Sequence, residues 1–127
     1  MTATDGTGVQ RSFLSSVEAF TVLKTLQANN LIVPVVGDFA GPKALRGIGR
    51  YLKENQTTVG AFYLSNVEQY LGREGRWNLF CENVAFLPID DSSSFIRSVR
   101  DGFGRGMGLT SVTGNMFSET KACLKVP

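Results

Sequence analysis

The chain has 127 residues, 43% of them apolar, with thirteen basic and eleven acidic side chains for a formal charge of +2. That is enough for one domain with a real core, and charges of both signs mixed along the chain make no case for nucleic acid or an anionic membrane surface. Histidine is absent, which excludes the common zinc ligand sets, histidine triads and histidine general bases, and no metal site is expected. No apolar stretch approaches the roughly 20 residues that span a bilayer, and the start MTATDGTGV has neither a charged n-region nor an apolar h-region. A soluble cytoplasmic protein is therefore expected, with Cys81 and Cys123, which lack a CxxC spacing, as reduced thiols.

In chain order, residues 1–11 are small and polar and are expected to form an N-terminal loop. Ser15 and Glu18 have the spacing of a capping box, and Val17, Phe20, Leu23 and Leu26 follow on one face, so a helix is predicted up to the Asn29, Asn30 pair. Leu31 to Val36 is an apolar run without alternation, the pattern of a strand buried on both faces of a parallel sheet. Pro34 is its misfit, since it cannot donate to a ladder.

Gly41 and Pro42 announce a second helix, with Leu45, Ile48, Tyr51 and Leu52 at helical spacing, Arg46, Arg50, Lys53 and Glu54 on the wet side, and Asn55 as a left-handed stop. Thr58 to Ser65 is β-branched and aromatic, which suits another strand. Residues 31–65 thus read as one βαβ unit with a right-handed crossover, and the α-β-α-β order argues a layered α/β sheet.

A third helix is predicted from the capping-box spacing of Ser65 and Glu68 to about Leu71, where Gly72 and Gly75 break it. Trp77, Phe80, Val84 and Leu87 resume a helical stripe that Pro88 closes. Asp90 to Ser94 reads as a turn and Ser94 to Val99 as a third strand. From Asp101 the glycine density argues against regular structure, so residues 101–127 are expected to be an irregular glycine-rich tail.

Few residues carry a chemical signal. Gly102, Gly104 and Gly106 have the look of a phosphate loop but do not open a helix after the first strand of a βαβ unit, so a plain loop is favoured. Gly37, Asp38 and Phe39 lie at the carboxyl end of the first expected strand, and Ser65 and Asn66 at that of the second. Ligands bind at that edge of open parallel sheets, which makes these five the candidate ligand-binding residues, against the alternative that they are turn and cap residues. Arg97 and Arg100, beside the third strand, could clamp a carboxylate or phosphate but are more often solvated in such positions. Phe62, Tyr63, Trp77, Phe80 and Phe86 read as core, and Glu18, Glu68 and Glu82 as helix-start or surface acids. No carboxylate pair is arranged for acid–base work, and no catalytic residue is identified.

The blocks VVGDFAGPKALRGIGRYLKEN, AFYLSNVEQYL and SSSFIRSV together resemble an uncharacterised bacterial family whose full-length members look like class I S-adenosylmethionine-dependent methyltransferases in fold. The resemblance runs from about Asp5 to Arg100. It implies a Rossmann-like, methyltransferase-type sheet of which this chain is the second half: Leu31 to Val36 as its fourth strand, Val59 to Leu64 as its fifth, and Phe95 to Val99 as a later one. The glycine loop and the acidic strand end that would hold the cofactor belong to the first half. The resemblance therefore implies the C-terminal part of a methyltransferase-like enzyme of unknown substrate, without S-adenosylmethionine binding or activity on its own, whose partner is the missing half-domain. The alternative is a non-catalytic α/β interaction module that self-associates through an open sheet edge.

Overall fold

A computed structural model describes residues 4–100 and 109–124, with backbone alone for Arg100 and Leu109. The order is α1 (Val17–Ala28), α2 (Ala44–Glu54), β1 (Ala61–Ser65), α3 (Val67–Arg73), α4 (Trp77–Ala85), β2 (Ser94–Arg100), β3 (Leu109–Asn115) and α5 (Met116–Cys123). The protein is mixed α/β, and it divides into two units at the Val35–Val36 junction.

In the first unit, the Asp5 carboxylate gathers the Thr7 hydroxyl, the Arg11 guanidinium and the amides of Thr7 and Val9. Those donors, Thr7 first, hold its pKa far below the usual carboxylate value. Ser16 caps α1 in extended conformation by accepting from the Ala19 amide, one residue later than the Ser15 expectation. The helix ends at Asn29, followed by Asn30 in the left-handed region at φ 54°. No residue of α1 is buried, and Val17 is 75% exposed.

The strand expected at Leu31 to Val36 does not form: these residues have no strand assignment, and among the described residues no strand pairs with them. A strand is stable only against a neighbour, and Pro34 further removes one donor from any ladder. The apolar run stays exposed, with Val36 fully so at 101%. The βαβ unit predicted for residues 31–65 is accordingly reduced to its helix and its second strand.

The second unit, from Val36 on, holds the core. Helix α2 begins at Ala44, two residues past Pro42, and packs its Gly49 face on Phe86, where an added Cβ would come within 2.9 Å of the ring. The left-handed stop falls on Gln56 at φ 54°, one residue beyond Asn55, which keeps φ at −92°. Helices α3 and α4 are separated by Gly75 at φ 66°, a conformation that costs a glycine nothing. The capping box expected for α3 is not made: its N-cap is Asn66 without a side-chain bond, and Glu68 is used elsewhere.

β1 and β2 are parallel, with Phe62 opposite Phe95 and a register shift between Tyr63 and Ser65. The two helices α3 and α4 lie between them in sequence, so this pair is a crossover unit of the kind predicted, formed one strand further along the chain. β2 and β3 are antiparallel, from Ser94 opposite Asn115 to Arg100 opposite Leu109, giving the order β1-β2-β3.

The irregular tail expected from residue 101 is a correction as well. Residues 109–123 form β3 and α5, because Thr110, Val112 and Thr113 find a ladder on β2 and Asn115 caps the following helix by accepting from the Ser118 amide. The glycines at 102, 104 and 106 lie outside the described residues.

Leu45, Leu64, Leu71, Phe80, Val84, Leu87, Phe95 and Met116 form the core. Phe62 sits among Phe39, Phe80 and Phe95 with ring centroids 6.0, 6.5 and 6.0 Å away. Alternation along β1 sends Phe62 and Leu64 inward and leaves Tyr63 61% exposed, so Tyr63 is not the core aromatic expected. Cys81 on α4 and Cys123 on α5 are joined by a disulfide, with Cα atoms 5.9 Å apart, and are not the free thiols expected. Forty-two residues separate them in sequence, so only the packing of α4 on α5 makes the pairing visible. No helix among the described residues is long and apolar enough to cross a membrane.

Candidate functional site

The five candidate residues fall into two groups with different partners. Gly37 packs against Ala44, leaving no room for a Cβ. Asp38 turns the chain: its carboxylate accepts from the Ala40 amide at 2.9 Å, its carbonyl accepts from the Gly41 amide at 3.0 Å, and its second oxygen pairs with Arg76 at the start of α4. The Arg76 guanidinium, and after it the Ala40 amide, hold the Asp38 carboxyl below the usual range, so it is ionised at neutral pH. Phe39 is half-buried against Phe62, and its carbonyl is occupied.

The anchor of this loop is Asn83, which was not among the candidate residues. It is 2% exposed on α4, donates to the carbonyls of Phe39 at 3.0 Å and Gly41 at 2.8 Å, and accepts from Arg46 Nε at 2.8 Å. One buried amide thus ties α4, α2 and the 38–41 loop together with its hydrogen-bonding capacity well used. A polar residue interrupting the stripe of Trp77, Phe80 and Val84 was the available hint.

Ser65 ends β1 at φ 50°, an uncommon conformation for a non-glycine residue, at the register shift opposite Arg97. The Ser98 hydroxyl, 3.5 Å from the Tyr63 phenol, and then that of Ser65 lower the Tyr63 pKa from its ordinary value. Asn66 follows as the cap of α3, its carbonyl accepting from Gln69. No hydrogen bond or ion pair among the described residues joins the Asp38 group to the Ser65 group, and they share no partner.

A third polar feature centres on Arg97. Arg97, on the inward face of β2, is not solvated: its side chain is 16% exposed, stacked over Phe95, and held by Glu68 of α3 at 2.7 Å and Glu119 of α5 at 2.8 Å. Glu68 is thus a helix-start acid, as expected, that is also held in this pair. Glu119 reaches this place because Gly114 on β3 leaves its carboxylate room that any Cβ would take. Beside the triad lies a cavity of about 50 Å³ lined by Trp77, Phe80, Phe95, Thr120 and both cysteines. It has room for a few water molecules, whereas sites for small organic ligands run to about 300 Å³ and more. The Thr120 hydroxyl in its wall is buried with no hydrogen-bond partner among the described residues. Chemically this is one guanidinium matched by two carboxylates, and the cavity does not fit a nucleoside-sized cofactor.

Among the described residues no group of histidine, cysteine, aspartate and glutamate is placed to hold a metal ion. The sequence matches, over residues 1–119, a family described as a domain of unknown function (DUF7790), and the chain belongs to that family. No curated protein matches it.

Proposed function

We propose that this member of the family is the C-terminal part of an S-adenosylmethionine-dependent methyltransferase-like domain with a Rossmann-like sheet, acting on a substrate that neither the fold nor the site specifies. The observation that carries the reading is the parallel β1/β2 pair with its helical crossover, closed by the antiparallel edge strand β3. Doubly wound sheets commonly end in this way, with one antiparallel edge strand on an otherwise parallel sheet. Of the blocks on which the resemblance rests, FYLSNVEQYL runs through the carboxyl end of β1, where such a sheet binds its ligand, and GDFAGPKA forms the loop that Asn83 of α4 holds. On this reading Gly37, Asp38, Phe39, Ser65 and Asn66 contribute part of a crest whose cofactor-binding half comes from elsewhere.

The test is calorimetric titration with S-adenosylmethionine of this chain alone and of the chain joined to the residues encoded immediately upstream of Met1. Micromolar binding by the joined protein and none by the chain alone is expected. Tight binding by the chain alone would overturn the division into halves, and failure of the joined protein to bind would overturn the methyltransferase reading.

A second reading, a non-catalytic module that associates through its sheet edge, is favoured by the exposed apolar run from Leu31 to Val36, together with the outer side of β1, which no described strand occupies. Light scattering distinguishes it. This reading expects a dimer or larger species that Val33→Lys disperses, and a monodisperse monomer at all concentrations counts against it.

A further inference from the structure

Helix α5 is held at its two ends by different means. At its start, Met116 is fully buried, its amide donates to the Ser93 carbonyl at 2.9 Å, and Asn115 caps the first turn. At its end, Cys123 is bonded to Cys81, which lies 1% exposed on α4. An eight-residue helix has little stability of its own, so its last turn depends on that bond and on the Glu119–Arg97 pair. Closing the helix onto the core also has a cost built in, because Thr120 is buried with its hydroxyl unpartnered, which an open last turn would return to water.

We infer that the Cys81–Cys123 disulfide is a reversible redox latch: a dithiol reductant opens it, the C-terminal turn of α5 leaves α4, and the partly open cavity beside Arg97 widens. The chemistry follows from the different exposure of the two cysteine residues. Cys123 is half-buried and Cys81 is not accessible, so the reductant's thiolate attacks Cys123 Sγ and Cys81 Sγ leaves as a thiolate that takes a proton. The reductant's second thiol then attacks the mixed disulfide and releases Cys123 as a thiol. Two electrons and two protons pass to the protein, and the dithiol ends as its own disulfide. The sheet and the start of α5 do not depend on the bond, since Met116, Phe95 and Leu64 remain packed in the core.

The molecule carries its own reporter, because its single tryptophan, Trp77, lines the cavity with both cysteines. The full chain, air-oxidised and then treated with dithiothreitol, would be followed by Trp77 emission and by amide hydrogen exchange. Reduction should raise and red-shift the emission, as the quenching disulfide is removed and water enters. It should also speed exchange in residues 119–124 by a factor at least about tenfold larger than any change in β1 and β2, whose exchange follows global stability. Oxidised glutathione should reverse both effects, and Cys123→Ser should show the reduced pattern with or without reductant. Unchanged exchange in residues 119–124 on reduction would overturn the latch. Uniform acceleration across the chain would also overturn it, by making the bond a staple of the whole fold, as would mass spectrometry showing two free thiols in the oxidised sample.

Discussion

Helices α1 and α4 have similar sequence credentials and opposite fates. Each carries an apolar stripe at helical spacing, yet α1 buries no residue whereas α4 buries Phe80, Cys81, Asn83 and Val84. The difference is in what surrounds them. α4 lies against α2, α3, α5 and the inward face of a sheet, while the first unit offers its helix only a short loop and an extended segment. An apolar stripe announces that a helix can bury one face; whether it does depends on a second surface supplied by residues far away in sequence.

The widest separation between these two regions should appear on truncating matched aromatics. Phe80→Ala removes a ring from a packed core and should cost about 3–5 kcal/mol, whereas Phe20→Ala on α1 should change stability by less than about 1 kcal/mol. Urea denaturation followed by circular dichroism measures both, and equal losses would erase the contrast. The disulfide should come next: it closes a loop of about 42 residues, so Cys123→Ser should lower the stability of the oxidised protein by about 2–4 kcal/mol, with no loss for the same variant compared under reducing conditions.

Asn83→Ala should then cost about 1–3 kcal/mol, because the Phe39 and Gly41 carbonyls lose their buried donor and Arg46 its acceptor. A cost below that of an ordinary surface substitution would mean that water replaces the amide and that the loop is not anchored by α4. The smallest effect belongs to Asp38. Its ion pair with Arg76 is surface-exposed, so Asp38→Asn should shift the urea midpoint at neutral pH by no more than about 0.5 M. Its folded pKa lies below the unfolded value, so the stability it contributes is present above the ordinary carboxylate pKa of about 4 and is lost as pH falls through the folded value. Acid titrations of wild type and Asp38→Asn should therefore converge at low pH, and curves that stay parallel would show that the pair contributes nothing.

The first four helices were legible because caps and periodicity are local, whereas α5, behind the glycine-rich stretch, was not. Ser16, Asn30, Gly75 and the Trp77, Phe80, Val84 stripe act within a turn or two of where they stand, and boundaries moved only by a residue or two, as at Ser15/Ser16 and Asn55/Gln56. Strands were less legible because a strand is a relation between segments. Leu31 to Val36 has the stronger apolar signal and remains unpaired, while the weaker Leu109–Asn115 pairs along its full length with β2. The polar groups around the candidate site follow the same rule. Glu68, Arg97 and Glu119 come from α3, β2 and α5, and no spacing along the chain connects them.

By itself, then, the sequence determined, to within a few residues, where the four helices before residue 88 begin and end, that the fold mixes helix and strand, and that histidine chemistry is absent, since each depends on composition or on contacts a few residues apart. Only the tertiary structure decided which apolar face is covered, which strands pair, that Asn83 holds the Asp38 loop, that Arg97 is clamped between two carboxylates, and that Cys81 meets Cys123. Those outcomes depend on contacts between segments tens of residues apart, whose pairing is selected by the packing of the whole core and leaves no local pattern to read.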